Sequence, residues 1–332
     1  MRRHGGRLGG LLLAAVLAGC LQAPPRLPPA PVPHGAAVTI DAEPVPMDPR
    51  DPARERIGNF AYAGGVVITS AQTARLHGLS DLKVTADGRL LAASDQSDLL
   101  EARIVLDAAG RLAGLADARL SALKDEAGAD LYAGGQEEYD SEGVVRLADG
   151  TLVVSFEQHD RVLAYPAGGG PPRRAPLPQT AFTHNKGMEA LAAAPDVAPD
   201  AYRVGLEDSG LIFVCRLSAR CAPDGRVDLE GSELVAMDNL SDGGRAYLFR
   251  SFSPLRGNVI RLRVVDRAGR TLDSLQIERP LTVDNLEGLA AVPRAGGGVR
   301  FYLIADDNFG FYEGKPTGQR TLLLAFDWQA PK

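Results

Sequence analysis

The chain has 332 residues, of which 45% are hydrophobic and 23% are charged, and its formal net charge at neutral pH is −6. This composition excludes intrinsic disorder over most of the chain, and the single long apolar run excludes a polytopic membrane protein. The negative charge argues against nucleic acid as a partner. The many Gly (37) and Pro (23) residues indicate frequent turns, and the chain is long enough for one large repetitive domain.

Residues 1–20 have the pattern of a bacterial lipoprotein signal peptide. Arg2, Arg3 and Arg7 precede a short apolar run over residues 11–17, which is too short to span a bilayer as a helix. The segment ends in Leu-Ala-Gly-Cys, and the thiol of Cys20 is a suitable nucleophile for accepting a diacylglyceryl group. The pattern therefore predicts lipidation at Cys20. The alternative is an ordinary signal peptide that contains a cysteine.

Residues 21–37 are rich in Pro and Ala, which predicts an extended tether between the anchor and a folded domain over residues 38–332. Leu21 stands where Asp would favour retention in the inner membrane, so we expect attachment to the outer membrane. The predicted location is the periplasmic side of the bacterial cell envelope. The lipid anchor is then the only contact with the membrane, and a monomer is the simplest assembly.

One sequence pattern recurs along the domain: an acidic residue beside Gly, an apolar pair, a turn that often contains Asp-Gly, and an apolar strand ending in an acid. Its glutamates are 47 residues apart from Glu142 to Glu189, 44 from Glu189 to Glu233, and 54 from Glu233 to Glu287. These spacings are close to the length of one four-stranded propeller blade. The five copies lie at residues 77–95, 141–157, 187–208, 232–250 and 285–307.

The repeats predict an all-β fold, a β-propeller. The length of the domain divided by about 45 residues per blade favours six blades, with five or seven as alternatives. The interval of 62 residues from Ser80 to Glu142 is long and predicts an extra hairpin or insertion. Residues 64–68 are expected to close the ring by pairing with residues 322–326, because closure removes exposed sheet edges.

The repeated acids are expected to converge, because the innermost strands of all blades surround the axis of a propeller. Carboxylates at close range repel one another and are stabilised by a shared cation. Oxygen ligands suit Ca²⁺, so the pattern predicts a site for calcium or another divalent ion. The alternative is that the acids cap turns at blade junctions. The predicted ligands are Glu142, Glu189, Glu287, Asp306 and Asp307, and the repeats place Asp95, Glu157, Glu207 and Glu233 at related positions.

The catalytic candidates follow from what the sequence lacks. It contains no Gly-x-Ser-x-Gly motif, which excludes a standard α/β-hydrolase. A metal ion that activates water makes a serine nucleophile unnecessary. The predicted catalytic residues are therefore Glu142 and Glu189, together with His184, a general-base candidate that lies three residues before the third repeat. The alternative for His184 is a solvated histidine in a loop.

Three cationic residues lie close to the repeat acids in sequence: Lys186, Arg161 and Arg250. They are predicted to bind an anionic group of a substrate, such as a phosphate or carboxylate. The alternative is that they pair with the acids and keep the channel neutral.

Two cysteines follow Cys20, namely Cys215 and Cys221. A local disulfide between them suits an oxidising periplasm. Two unpaired buried thiols are the alternative.

Six short segments occur in an order that covers most of the domain. They are Gly-Leu-Ser-Asp-Leu (78–82), Asp-Ser-Glu-Gly-Val (140–144), Asn-Lys-Gly-Met-Glu-Ala-Leu (185–191), Leu-Phe-Arg-Ser-Phe-Ser-Pro (248–254), Asp-Asn-Leu-Glu-Gly-Leu (284–289) and Ala-Asp-Asp-Asn-Phe (305–309). In order and spacing, the set resembles the bacterial phytase-like family, whose members are described as having esterase-like activity. The likeness extends over about residues 38–328.

The resemblance implies a secreted or membrane-tethered β-propeller related to calcium-dependent propeller phytases and to gluconolactonase-like propellers. In the latter, a Glu that precedes Gly in an inner strand binds the metal, which corresponds here to Glu142 and Glu287 and, by extension, to Glu189. His77 and Asp81 stand where the family pattern has Gly, which alters that part of the channel.

Three functions are consistent with these observations. The first is a divalent-metal-dependent hydrolase that acts on a small-molecule ester or phosphoester. The second is a propeller of the cell envelope that binds a ligand or protein without catalysis, and the third is a lactonase. A metal that is essential for turnover would distinguish the hydrolases from the binding protein, since a propeller hosts either role.

Overall fold

The computed structural model of the protein describes residues 35–312 and 315–331. The predicted signal peptide, the lipidation site at Cys20 and most of the predicted tether lie outside the described residues. Among the residues that are described, no helix is long and apolar enough to cross a membrane.

The described chain folds into five antiparallel sheets, which are the blades of a β-propeller. In blade 1, the strands from the axis outward are β5 (Leu79–Val84), β6 (Arg89–Ser94), β7 (Asp98–Leu106), β8 (Leu112–Ala122) and β1 (Ala36–Ala37). Blade 2 contains β9 (Ser141–Arg146), β10 (Leu152–Phe156), β11 (Arg161–Tyr165) and β12 (Arg173–Ala175). Blade 3 contains β13 (Ala190–Ala193), β14 (Ala201–Gly205), β15 (Leu211–Arg216) and β16 (Ala219–Arg226).

Blade 4 contains β17 (Glu233–Asn239), β18 (Arg245–Ser253), β19 (Gly257–Val265) and β20 (Thr271–Glu278). Blade 5 contains β21 (Asn285–Pro293), β22 (Val299–Asp306), β25 (Leu322–Trp328), β4 (Phe60–Thr69) and β2 (Asp41–Pro44), and β3 (Arg56–Ile57) also pairs with β4. Separately, β23 (Phe311–Tyr312) pairs with β24 (Lys315–Pro316) in a two-stranded sheet. The helical segments are α1 (Gln136–Tyr139) and the 3₁₀ turns Leu131–Gly134 and Asn308–Gly310.

The preference for six blades was wrong, because part of the domain lies in connections between blades and in additional outer strands. Blade 1 has strands of nine and eleven residues, and the segment with α1 follows it before blade 2 begins. Blade 5 takes its outer strands from the N-terminal part of the chain. These additions consume the length that was assigned to a sixth blade.

The ring closes as the sequence predicted. Strand β4 pairs with β25 in antiparallel register, with Val67 opposite Leu322 and Gly65 opposite Leu324. Because β4 comes from the beginning of the domain and β25 from its end, backbone hydrogen bonds join the two ends of the propeller. The inner strands β5, β9, β13, β17 and β21 contact one another in turn, and β21 contacts β5 again.

The hairpin turns follow from the Asp-Gly pairs. Gly88, Gly150 and Gly243 lie between the first and second strands of blades 1, 2 and 4, with φ values of 82°, 87° and 86°. A residue without a Cβ adopts this left-handed conformation at no steric cost. The apolar strands that these turns connect pack between blades, with one larger cluster of buried residues at each of the five blade junctions.

A disulfide joins Cys215 in β15 to Cys221 in β16. The bond lies in the outer hairpin of blade 3, and Cys215 is buried against the apolar cluster between blades 2 and 3.

The Gly in the Glu-Gly pairs of β9 and β21 allows adjacent inner strands to approach closely. A Cβ on Gly143 would lie 2.6 Å from Cβ of Leu191 in blade 3. A Cβ on Gly288 would lie 2.9 Å from Cα of Asp81 in blade 1. Both distances are shorter than van der Waals contact, so a side chain here would push neighbouring blades apart.

We therefore expect Gly288→Ala to destabilise the propeller by about 1–3 kcal/mol, the usual cost of overpacking a close-packed interior. The free energy of unfolding, measured with urea, tests this prediction. Gly296→Ala is the matched control, because a Cβ there meets no atom within 4 Å and the backbone is not left-handed. Equal stability of the two variants would contradict the account of the inner strands.

Candidate functional site

A cavity of about 1090 Å³ opens at the end of the channel where the inner strands begin and the second strands end. These two places coincide because the first two strands of each blade are antiparallel. The first set of predicted acids, on or beside the inner strands, lines the cavity: Glu142, Glu189, Glu233 and Glu287. The second set, at the ends of the second strands, lines it as well: Asp95, Glu157, Glu207 and Asp306.

The carboxylates of blades 2 and 3 form two overlapping groups. In the first, oxygen atoms of Asp140, Glu142 and Glu157 all lie within 4.8 Å of one another. In the second, the same holds for Glu157, Glu189 and Glu207. Glu157 belongs to both groups, so the five residues, here called the acid cluster, form one continuous set of oxygen ligands.

Burial and the proximity of like charges raise the pKa values of the carboxyl groups in the acid cluster. Burial, and then the charge of Asp140, raises the pKa of Glu157 to about 8. Burial and the neighbouring Asp140 raise the pKa of Glu142 well above its usual value. For Glu189, burial and the charge of Glu207 act in the same direction. Each group thus holds its proton more tightly than a carboxyl group in water does.

One atom of the cluster lacks any polar partner. Glu207 Oε2 is buried and has no hydrogen-bond partner among the described residues. An unpaired buried carboxylate oxygen is costly, and a cation is one of the few partners that offsets this cost. Because all the donors are carboxylate oxygens, the cluster fits a hard divalent cation such as Ca²⁺ or Mg²⁺ and does not fit zinc, which favours nitrogen and sulfur.

Two cations balance the acids on the side of blade 4. Arg250 pairs in register with Glu233, as Asp306 pairs with Asn285 in blade 5, so blade 4 has a cation where blade 5 has an acid. Its guanidinium contacts Glu287 and lies 3.1 Å from Glu233 and 3.5 Å from Glu207.

Lys186 is the second cation of this side. Its Nζ contacts Glu233 and lies 3.0 Å from Glu207. Burial alone would lower the pKa of Lys186, but the hydrogen bond to Glu233 and the charge of Glu207 outweigh it and the pKa is raised. Lys186 therefore stays charged at neutral pH.

The structure places four of the predicted metal ligands in two separate groups. Glu142 and Glu189 belong to the acid cluster, whereas Glu287 and Asp306 lie around Asn285, whose Nδ2 donates to Glu287 at 3.0 Å and to Asp306 at 3.2 Å. Glu287 also contacts Arg250. This pair is thus held by an amide and a guanidinium.

Asp307 does not line the cavity. Its buried carboxylate accepts hydrogen bonds from Gly78 N at 2.9 Å and from Thr321 Oγ1 at 2.8 Å, and it lies 2.6 Å from His77 Nδ1. Burial opposes ionisation of this group, but the hydrogen bond with His77 outweighs it and lowers the pKa of Asp307. The residue connects the end of β22 to the segment that enters β5.

The structure does not bring His184 or Arg161 into the cavity lining. His184 is exposed in the connection before β13. Arg161 is buried, with its guanidinium 4.2 Å above the ring of Phe156 and a hydrogen bond to the carbonyl oxygen of His159. It holds a loop together and offers no charge to a substrate.

Asp140 was not identified as a site residue from the sequence. It immediately follows α1, in the insertion after blade 1, so the repeat has no equivalent position. The one sequence feature that could have identified Asp140 is its place in the Asp-Ser-Glu-Gly-Val segment, which carries the family resemblance.

The family follows from comparison with known proteins. The profile of the phytase-like family, described as esterase-like activity of phytase, matches residues 74–309. The chain belongs to the phytase-like family. This confirms the resemblance drawn from the six segments. No curated protein matches the chain in sequence.

Solved structures with a similar chain fold share little sequence with this member of the phytase-like family. A putative gluconolactonase is 12% identical with a TM-score of 0.44, covering 90% of this chain and 92% of its own. Regucalcin from Agrobacterium tumefaciens, a calcium-binding protein, is 11% identical with a TM-score of 0.45, covering 90% and 93%. Virginiamycin B lyase from Staphylococcus aureus is 10% identical with a TM-score of 0.42, covering 87% and 99%. At these levels of similarity they carry no argument about chemistry.

The acid cluster predicts how calcium and pH affect stability. The folded pKa of Glu157, about 8, lies above its ordinary value of 4.5, so the unfolded chain releases this proton first as the pH rises. Stability of the metal-free protein is therefore lost between these two pH values. We expect its melting temperature to be lower at pH 8 than at pH 5.5, and added calcium to raise it more at pH 8 because ligands must be deprotonated.

Differential scanning calorimetry after chelation, with and without calcium, measures both effects. Glu157→Gln should remove most of the calcium-induced shift, because Glu157 belongs to both carboxylate groups. Glu126→Gln, on the outer surface in an ion pair with Arg174, should leave it unchanged. A calcium shift that is equal at both pH values, or that survives in Glu157→Gln, would show that the acid cluster does not bind the ion.

Proposed function

We propose that the protein is a divalent-metal-dependent hydrolase of small-molecule esters or phosphoesters, with calcium as the metal. The observation that carries the proposal is the acid cluster in the lining of an open cavity, with raised carboxyl pKa values and a buried Glu207 Oε2 that has no hydrogen-bond partner among the described residues. The description of the family as having esterase-like activity supports the same reaction class.

Asp140, Glu142 and Glu157 are the proposed ligands of the cation, with Glu189 and Glu207 beside them. A bound divalent cation supplies Lewis acidity, which polarises an ester or phosphoester oxygen and lowers the pKa of water. The five carboxylates would supply the negative charge that retains such an ion.

Glu189 is the proposed general base. Burial keeps its pKa well above that of a carboxyl group in water, which makes its carboxylate a stronger proton acceptor than an exposed one. In the hydrolysis of an ester, a water molecule transfers a proton to a carboxylate oxygen of Glu189 while its oxygen bonds to the carbonyl carbon or phosphorus. The bond from that carbon or phosphorus to the alcohol oxygen then breaks, the alcohol leaves with a proton from the solvent, and Glu189 releases its proton to the solvent.

Lys186 and Arg250 are the proposed binding groups for negative charge on the substrate. Both line the cavity and both are held by Glu207 and Glu233. Charged donors fixed before the substrate arrives stabilise negative charge that develops on its oxygens, without reorganisation during the reaction. The two cations adjoin the acid cluster at Glu207, so an anionic group bound by them lies beside the proposed cation site.

The proposed setting is the cell envelope. Lipidation at Cys20 and a tether would place the cavity on the periplasmic side, with the outer membrane as the attachment point. This part of the proposal is supported by the pattern of residues 1–37 alone.

Hydrolysis of nitrophenyl acetate, butyrate and phosphate tests the reaction. With calcium, we expect turnover of at least one of these esters, and with chelator we expect its loss. Glu157→Gln should lower the rate at saturating substrate by about 100-fold or more, the scale of removing a preorganised electrostatic group. Glu126→Gln should retain full activity, and its folding and that of Glu157→Gln are compared by circular dichroism.

Turnover that is unchanged by chelator or by Glu157→Gln would overturn the proposed mechanism. Absence of turnover on all three esters, together with a calcium-induced rise in melting temperature, would favour the alternative of a non-catalytic binding propeller.

The role of Lys186 has a test of its own. Lys186→Met should raise KM for nitrophenyl phosphate by about 10-fold, since a hydrogen bond to a charged group contributes roughly 1.5–3 kcal/mol. KM for the uncharged nitrophenyl acetate should stay within twofold. Equal changes for the two substrates would indicate that Lys186 only keeps the acids in place.

A further inference from the structure

One wall of the cavity is apolar, in contrast to the acid cluster and the cations. It is formed by Phe252 at the end of β18 and by Leu281 and Val283 in the connection between blades 4 and 5. Phe252 is 61% exposed. Large apolar side chains that remain exposed among polar lining groups are typical of surfaces that bind a ligand.

The backbone brings this wall beside a cation. Arg250 and Phe252 are two residues apart on β18, so their side chains project from the same face of the strand. In the pairing with β19, Phe252 lies opposite Asn258, which also lines the cavity. The aromatic ring and the guanidinium therefore belong to one continuous surface.

A second cation, Arg279, lines the same cavity. Arg279 follows β20, and a Cβ added to Gly257 would be 3.3 Å from the Arg279 guanidinium. The absence of a side chain at Gly257, which also lines the cavity, lets the guanidinium lie against the backbone of the hairpin between β18 and β19. The cavity lining thus contains the positive charges of Arg250 and Arg279 together with the apolar residues.

The position of Phe252 is distinctive within the part of the chain that the structure describes. Five large hydrophobic residues are exposed there, and Phe252 is the one among them that lines the cavity. Leu255, three residues further along at the tip of the same hairpin, is 89% exposed but does not line it. The two residues provide a matched pair, one inside the cavity and one outside.

We propose that the substrate is amphipathic, with an anionic group bound by Arg250 and Arg279 and a hydrocarbon group packed on Phe252, Leu281 and Val283. The proposal rests on the proposed function, because the bond to be hydrolysed must reach the acid cluster from this position. A substrate with charged groups on every side would leave the exposed ring of Phe252 in water, whereas a hydrocarbon group covers it.

The expected effect is a dependence of affinity on chain length. Each methylene that is fully removed from water increases affinity by about fourfold, and partial contact with one wall gives a smaller factor. The charged end of the ligand contributes equally to every member of such a series, so the slope with chain length measures the wall alone.

Methylphosphonate, butylphosphonate and hexylphosphonate are suitable probes, because they carry the charge and the chain but have no ester bond to hydrolyse. Isothermal titration calorimetry of the calcium-loaded protein should show hexylphosphonate binding at least 10-fold more tightly than methylphosphonate. Phe252→Ser should reduce this ratio at least threefold and leave the affinity for methylphosphonate unchanged. Leu255→Ser should keep the full ratio, and Phe252→Leu should restore most of it.

Equal affinities for the three phosphonates, binding of none of them, or an unchanged ratio in Phe252→Ser would each overturn the proposal.

The same variants are assayed with nitrophenyl esters of increasing acyl length. Turnover without any dependence on chain length would support the hydrolase proposal and contradict the proposal of an amphipathic substrate. Phosphonate binding that depends on chain length, without turnover of any ester, would support an amphipathic ligand and contradict the hydrolase proposal.

Discussion

The repulsion among carboxylates at one end of the channel is the constraint to which the rest of the site responds. Five blades each bring acidic residues to the same place, and burial raises the pKa of Glu142, Glu157, Glu189, Glu207 and Asp306. On the side of blade 4, Arg250 and Lys186 neutralise part of this charge. On the side of blades 2 and 3, the acid cluster keeps an excess of negative charge and a buried oxygen to which none of the described residues donates a hydrogen bond.

The unequal distribution of charge divides one cavity into regions with different chemistry. The acid cluster suits a hard cation, the two basic residues suit an anion, and Phe252 with its neighbours suits hydrocarbon. A symmetric propeller would repeat the same residue in each blade and could not create these regions. The replacement of an acid by Arg250 in blade 4 and the insertion that brings Asp140 are the departures from the repeat that make the difference.

The scaffold explains why such a costly arrangement persists. Inner strands approach one another closely at Gly143 and Gly288, and the pairing of β4 with β25 joins the ends of the chain in one sheet. Apolar clusters at all five blade junctions supply the stabilisation that buried acids oppose. The carboxylates are therefore held at short range by packing that they do not themselves provide.

The sequence by itself determined the propeller class, the closing strand pair, the family and the convergence of the repeated acids. Each of these depends on local patterns or on a repeated position, and a repeated position in a propeller has one location relative to the axis. The number of blades depended on strand lengths and on which part of the chain completes blade 5. The spacing of the repeats contains neither, so it predicted six blades where the structure has five.

Only the tertiary structure decided which acids share a cation site. Glu157 links both groups of the acid cluster because two blades meet there, whereas Asp307 turns to His77 although it adjoins Asp306 in sequence. Arg161 and His184 are near acids along the chain but not in the cavity. The direction of a side chain and the distance between blades arise from packing among residues far apart in sequence, and local patterns do not contain that information.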